Sequence, residues 1–217
     1  MNGAIRISRW IILVTLVCAL LCEPAVAATI TFPAGGGTYS YDSLVGPDPN
    51  ATVTGAKYEI FAPPGPANPF AYYYNQSDAS TARVAYTFAA APGETFTGGT
   101  VKARLAMAIN SPTSRIDEFV QSNVSSNPVT LDSLIGLPTE TYNTINLPIA
   151  GASSFMLWFD LTEAGPSGND RLFLHAHDEA LTPFVVTTTS AIPEPTTAGV
   201  VITMLGGALA RRSKRHC

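Results

Sequence analysis

Apolar and polar residues alternate with a period of two through most of the middle of the chain. Because successive side chains of a strand point to opposite faces, each alternating segment predicts a strand with one buried face. Four segments carry the pattern most strongly, with these apolar positions: Val101, Ala103, Leu105, Met107 and Ile109; Phe155, Leu157, Phe159 and Leu161; Val84, Tyr86 and Phe88; Leu172, Leu174 and Ala176. Weaker patterns predict further strands within residues 52–60, 115–121, 142–147 and 184–189.

Turn-forming residues separate these segments, and no segment sustains the 3.6-residue period of a helix. Examples are Pro63-Pro64-Gly65-Pro66 and Gly165-Pro166-Ser167-Gly168. Short strands joined by such turns are typical of sandwiches and jelly rolls. We therefore predict an all-β fold, a single β-sandwich or jelly roll over residues 28–190, flanked by a helical segment at each end.

The N-terminal end predicts an export signal. Arg6 and Arg9 precede an uncharged apolar run over residues 10–21, and Ala25-Val26-Ala27 supplies small residues before Ala28. A basic start, an apolar centre of roughly 7–15 residues and a small-residue end are the features of a secretory signal peptide. Residues 1–27 are thus predicted to be a signal helix that signal peptidase removes. The alternative is a lipoprotein modified at Cys22 or Cys18, although Leu21 and Val17 stand where a small residue is needed.

The C-terminal end, residues 191–217, combines three features. Pro193, Glu194 and Pro195 come first, and an uncharged segment over residues 196–210 follows. At about 1.5 Å per residue, a helix over that segment spans roughly 22 Å, which is short of a hydrocarbon core of about 30 Å. A basic cluster then stops this short transmembrane helix on the cytoplasmic side. The cluster consists of Arg211, Arg212, Lys214 and Arg215. The simpler interpretation is a plain membrane anchor.

In this order the three features resemble the PEP-CTERM sorting signal of bacteria. The resemblance implies that an exosortase, a membrane-embedded enzyme, recognises the Pro-Glu-Pro segment and releases the protein from its tail. It also implies transient anchoring in the inner membrane, followed by a location at the cell surface or in the extracellular matrix. The resemblance covers residues 192–217 and concerns sorting, so it does not identify an activity.

Charge and cysteine content limit the chemistry of the central segment. Residues 28–192 hold 14 acidic and 6 basic residues, a net charge of −8, because Glu23, Glu194 and the six bases at the two ends lie outside them. Such a surface repels phosphate backbones, so we expect no nucleic-acid partner. All three cysteines lie in the end segments, which leaves the central segment without a disulfide or a thiol nucleophile.

The order of features from Tyr86 onward is similar to that of galactose-binding-like jelly rolls. The matching pieces are Tyr86-Thr87-Phe88, Phe96-Thr97-Gly98-Gly99, Phe119-Val120-Gln121-Ser122-Asn123 and the segments 101–109, 142–148, 155–161 and 172–175. Such modules commonly bind sugars, so the resemblance implies a carbohydrate-binding role and an extracellular polysaccharide as partner. Their binding loops vary, and the resemblance assigns no binding residue.

Aromatic side chains are the candidate ligand contacts. Tyr72, Tyr73 and Tyr74 lie in the Pro- and Asn-rich segment 68–78, which has more the character of a loop than of a strand. Exposed there, their rings would stack on sugars. The alternative is a strand with Tyr72 and Tyr74 facing inward. Trp158 lies on a strand whose opposite face is apolar, and it either packs as a second layer or contacts a ligand.

His175 and His177 are weak candidates for metal ligands. Strand alternation directs both imidazoles to one face, as a metal site requires, but the sequence nominates no third ligand. The simpler interpretation is an exposed polar strand face. We expect no cofactor, with calcium held between acidic loops as the alternative.

These features predict an exported surface or extracellular-matrix protein with a structural or carbohydrate-binding role, for instance in a biofilm matrix. The alternative is a secreted hydrolase that acts on polysaccharide, which needs two carboxylates about 5–10 Å apart across a cleft. Carboxylates such as Asp117, Glu118 and Asp160 are plentiful, while a G-x-S-x-G nucleophile motif is absent from the sequence.

The first testable prediction is that the exported protein begins at Ala28, because the small residues before it fit the signal-peptidase site. N-terminal sequencing of the exported form measures this directly. A form that begins at Cys22 would instead establish a lipoprotein.

Overall fold

The computed structural model describes residues 28–62, 69–75, 80–108, 113–136, 138–164, 171–177 and 183–194. Within these residues every regular element is a β-strand, which confirms the all-β prediction. The strands are β1 (Thr29–Thr31), β2 (Gly36–Tyr41), β3 (Thr52–Thr54), β4 (Lys57–Phe61), β5 (Phe70–Asn75), β6 (Thr81–Ala89), β7 (Thr95–Ala103), β8 (Leu105–Ala108), β9 (Arg115–Ser122), β10 (Val129–Ile135), β11 (Thr139–Thr141), β12 (Thr144–Asn146), β13 (Ser154–Thr162), β14 (Arg171–His177) and β15 (Phe184–Ala191).

The strands form three sheets. Sheet A has the order β1-β6-β13-β9-β10, with β3 also paired to β6; sheet B has the order β12-β7-β15-β2, and sheet C the order β11-β8-β14-β5-β4. Sheets B and C meet at Arg104, which separates β7 from β8. The Arg104 N–H donates to the Pro183 carbonyl at 3.0 Å, and the Arg104 carbonyl accepts from the His175 N–H at 3.0 Å. One long chain segment therefore contributes to both sheets.

The apolar core lies between sheet A and the layer formed by sheets B and C. Tyr86 of β6 stacks on Phe184 of β15 with ring centroids 4.4 Å apart, and Phe155 of β13 meets Phe96 of β7 at 5.2 Å. Leu174 of β14 belongs to the same cluster of buried residues, so sheet C shares this core. The packing of two sheet layers face to face confirms the predicted β-sandwich.

Alternation correctly identified the core strands β6, β7, β13 and β14 but not β5. Segment 68–78, predicted more as a loop, contains β5, and the strand alternative is therefore correct. The inward face predicted for that strand is wrong, because Tyr73, and not Tyr72 or Tyr74, belongs to the core cluster. The cause is the register with β14, which sets Tyr73 opposite the core residue Leu174.

The two end segments lie largely outside the described residues. The parts that lie outside are the signal segment 1–27, Pro195, the apolar segment 196–210 and the basic cluster. Pro193 and Glu194 are described, directly after β15, and both are exposed. No helix among the described residues is long and apolar enough to cross a membrane.

Glu118 is an acidic side chain on the core-facing side of β9. It is 2% exposed, and its neighbours on that face, Ile116 and Val120, belong to the core. Its Oε1 atom has no hydrogen-bond partner in the described part of the chain. Burial, together with the charge of Asp132, raises the pKa of Glu118 to about 8, because both disfavour the ionised carboxylate.

The second prediction concerns the pH dependence of stability. In the unfolded chain Glu118 ionises near its ordinary pKa of 4.5, whereas the folded protein keeps the proton up to about pH 8. Because the folded state holds this proton more tightly than the unfolded state, protonation of Glu118 favours folding. This contribution to the free energy of unfolding is complete below pH 4.5 and is lost as the pH rises towards 8. Urea unfolding should show roughly 3 kcal/mol less stability at pH 8 than at pH 5 from this group. Glu118→Gln should remove that difference, because the amide does not ionise.

Glu94→Gln is the control. Hydrogen bonds from Ser190 and the Gly35 N–H lower the pKa of Glu94, so that variant should keep the wild-type slope between pH 5 and 8. Equal slopes for Glu118→Gln and the wild type would show that Glu118 is ionised in the folded protein.

Candidate functional site

An open groove of about 330 Å³ lies on the face of sheet C that points away from the core. This volume lies within the range of small-molecule sites in proteins. Side chains from β4, β5, β8, β11 and β14 line the groove. The aromatic members are Phe61, Phe70, Tyr72, Phe173 and His175, and the charged members are Arg104, Glu140 and Arg171.

Strand register brings the aromatic rings together. Phe61 lies opposite Phe70 across β4 and β5, and Tyr72 lies opposite His175 across β5 and β14. Alternate residues of one strand share a face, so Phe70 and Tyr72, and likewise Phe173 and His175, point the same way. Ring centroids are 5.0 Å apart for Phe61 and Phe70, 5.8 Å for Phe70 and His175, and 4.7 Å for Tyr72 and Phe173. The groove therefore has a continuous aromatic wall.

Exposure changes from the rim of the groove to its floor. Phe61 is 40% exposed at the rim, while Phe70 and Phe173 are half-buried. Tyr72 and His175 are 2% and 7% exposed and form the floor. A ligand would meet the ring of Phe61 and the exposed charged side chains of Glu140 and Arg171 at the rim, and Tyr72 and His175 deeper in the groove.

The two arginines of the groove each face a carboxylate. Arg104 makes a two-pronged ion pair with Glu140, at 2.9 and 3.1 Å, and this bond lowers the pKa of Glu140. Arg171 lies with Nη1 3.5 Å from Glu59 Oε2 and 3.4 Å from the Tyr72 hydroxyl. Its guanidinium lies 5.4 Å from the centre of the Tyr74 ring, a cation–π contact. These pairs leave the charge of the groove balanced.

His175 is held neutral by its surroundings. Burial, and then the positive charge of Arg104, lower its pKa to about 4, because both disfavour the imidazolium form. Its ring lies against Phe70, and its Nδ1 atom is buried without a hydrogen-bond partner among the described residues. The floor of the groove thus contains an unsatisfied polar side chain.

The three adjacent tyrosines have different places. Tyr72 lines the groove, and Tyr74 lies on the same side beneath Arg171. Tyr73 points into the core, and its hydroxyl oxygen accepts a hydrogen bond from the Asp48 N–H at 2.6 Å. They do not form one platform, because strand alternation separates Tyr73 from the other two.

Trp158 lies on β13 of sheet A, on the face away from the core, and thus in a different sheet from the groove. It is buried, its ring stacks on Phe119 at 5.3 Å, and Arg83 lies 5.1 Å from the ring centre. Arg83 is fixed in turn by a two-pronged ion pair with Asp160. These contacts correspond to second-layer packing, which is one of the two alternatives predicted for Trp158 from the sequence.

A register shift in β14 separates His175 from His177: His175 lies opposite Tyr72, whereas His177 lies opposite the core residue Ala71, so the alternation expected to direct both imidazoles to one face is interrupted. His175 forms part of the groove floor, whereas Nδ1 of His177 contacts the carboxylate of Asp42. In the part of the chain that the structure describes, no group of three His, Cys, Asp or Glu side chains is placed to hold a metal ion.

Several groove residues were not anticipated from the sequence: Phe61, Phe70, Arg104, Glu140, Arg171 and Phe173. A usable signal was present in two of the strands. In both Phe70-Ala71-Tyr72 and Phe173-Leu174-His175, two aromatic residues flank one buried residue, so the aromatic pair lies on the opposite, outward face of the strand. Aromatic residues at the outward-facing positions of a strand indicate a candidate binding surface.

No known protein-family model matches this sequence, and no curated protein matches it. Solved structures similar to it include the CBM22-1 xylan-binding domain from Paenibacillus barcinonensis Xyn10C, which is 12% identical, with a TM-score of 0.44 over 73% of this chain and 97% of that one. A family 29 carbohydrate-binding module is 11% identical, with a TM-score of 0.39 over 71% and 89%. TmCBM61, in complex with beta-1,4-galactotriose, is 8% identical, with a TM-score of 0.40 over 63% and 86%. At these TM-scores the similarities carry no conclusion about this chain.

Proposed function

We propose that this protein binds polysaccharide chains in the groove of sheet C. The aromatic wall carries the proposal: Phe61, Phe70 and Phe173 offer partly exposed rings above a floor of polar groups. A pyranose ring has an apolar face of C–H groups and a rim of hydroxyls. Aromatic faces bury the first, and side chains such as those of Tyr72 and Arg171 can hydrogen-bond the second.

The carboxylates of the groove do not favour the hydrolase alternative. A glycosidase needs one carboxyl group that keeps its proton as the general acid, and this requires a raised pKa. Arg104 instead lowers the pKa of Glu140, and Glu59 faces Arg171. Binding without cleavage is the function that these contacts support best.

The proposed route to the cell exterior rests on the sequence of the two ends. After export, the tail holds the protein in the inner membrane until an exosortase cleaves it near Pro193, Glu194 and Pro195. The protein then becomes part of the cell surface or the extracellular matrix. The exposure of Pro193 and Glu194 after the last strand supports this proposal, because an enzyme needs access to the segment it cleaves.

The third prediction tests the groove. Phe61→Ala should weaken glycan binding about tenfold or more, since burying an aromatic side chain contributes on the order of 1.5–3 kcal/mol. Affinity electrophoresis in gels containing xylan, mannan, galactan or hydroxyethyl cellulose identifies a ligand, and calorimetry measures its affinity.

Ile60→Ala is the matched control. Ile60 is adjacent to Phe61 and similarly exposed, at 44%, but lies on the other face of β4. That variant should bind like the wild type. If Phe61→Ala also bound like the wild type, or if the wild type bound no glycan, the groove would not be a glycan site.

The fourth prediction tests the tail. Replacing Pro193, Glu194 and Pro195 with alanine should leave the protein uncut in the membrane. Alanine extends the helix that proline interrupts and removes the extended segment that a processing enzyme needs. A plain anchor would remain in the membrane with either sequence. Mass spectrometry of the native protein from the cell exterior distinguishes the two, because an intact C-terminus with Arg211 and Cys217 would exclude sorting by cleavage.

A further inference from the structure

The floor of the groove contains a polar atom that the described residues leave unsatisfied. His175 is 7% exposed, and its Nδ1 atom has no hydrogen-bond partner among them. Its ring contacts are aromatic: Phe70 at 5.8 Å, Tyr72 at 6.3 Å and Phe173 at 6.4 Å. Buried polar groups are almost always hydrogen-bonded, and exceptions often mark functional positions. Here the exception belongs to a residue that lines the floor of the groove.

The position of the imidazole proton follows from the same observation. A neutral imidazole has one N–H donor and one lone-pair acceptor. A buried N–H without an acceptor is less tolerated than a buried acceptor without a donor. We therefore assign the proton to Nε2, at the tip of the ring. His175 then presents a donor without a formal charge to whatever occupies the groove.

The charges around His175 disfavour an anionic ligand. Arg104 and Arg171 already face Glu140 and Glu59. A sugar carboxylate would have to displace one of these carboxylates and approach a central segment with a net charge of −8. Like charges placed together in a binding site cost several kcal/mol and slow association.

We infer that the groove selects uncharged polysaccharides over uronate-containing ones, and that His175 Nε2–H donates a hydrogen bond to a sugar oxygen. This inference rests on the proposed function, because it requires the glycan to lie in the groove. It adds the chemical class of the glycan and one specificity-determining residue.

Matched oligosaccharides test the selection against charge. The full chain, purified in mild detergent, is titrated with cellohexaose, mannohexaose and β-1,4-galactotriose. Each is compared with its C6-oxidised counterpart, in which carboxylates replace the primary alcohols and the backbone is unchanged. We expect the neutral form to bind at least about tenfold more tightly. Its affinity should change less than about twofold between 50 and 500 mM NaCl, because screening acts on charged partners. Equal or tighter binding of an oxidised form would overturn the selection.

Two substitutions test the role of His175. His175→Phe keeps an aromatic ring beside Phe70 and removes the donor, whereas His175→Gln keeps an N–H donor and loses the ring. We expect His175→Phe to weaken binding of the neutral oligosaccharide about five- to tenfold, the effect of one hydrogen bond. Its unfolding midpoint should be unchanged or higher, since an unsatisfied buried nitrogen is removed. His175→Gln should retain more affinity than His175→Phe.

The opposite order of affinities would show that His175 acts only through packing, and the inference would fail. The proposed function fails separately, when the wild type binds none of these oligosaccharides in either form. If the wild type binds and Phe61→Ala weakens binding, while oxidised oligosaccharides are preferred, the groove is a glycan site and only the selection against charge is wrong.

Discussion

The break at Arg104 is the constraint on which both the sandwich and the groove depend. Its backbone bonds to Pro183 and His175 hold β7 in sheet B and β8 in sheet C. The same residue sends its side chain to Glu140 at the edge of the groove and contributes to the low pKa of His175. One position therefore sets how the two sheets join, balances the charge of the groove and adds to the effect of burial that keeps His175 neutral.

The sequence predicted the core of the fold because core strands carry its strongest pattern. Phe155, Leu157 and Phe159 alternate with residues that point outward, and burial follows that alternation. β2 and β11 escaped prediction, because neither has a run of alternating large apolar residues. What makes such segments strands is pairing with distant parts of the chain, and a single sequence does not encode partners in its local pattern.

The groove was only partly predictable for the same reason. Tyr72 and His175 were named from the sequence, but for different roles and as parts of different sites. Only the register between β5 and β14 places them opposite each other. The clustering of Tyr72, Tyr73 and Tyr74 along the chain was misleading, because neighbours in sequence lie on opposite faces of a strand. Residues two apart, such as Phe173 and His175, are the ones that act together.

The position of β15 has a mechanical consequence. It lies between β7 and β2, so backbone hydrogen bonds hold it on both sides. The chain leaves the sandwich directly after this strand, at Ile192. Tension applied through the C-terminal segment would thus act along an interior strand, and two rows of hydrogen bonds would share the load. A strand at the edge of the sheet, bonded on one side only, would yield more easily. The order of strands in sheet B therefore makes β15, to which the tail is attached, resistant to detachment from the sheet under tension.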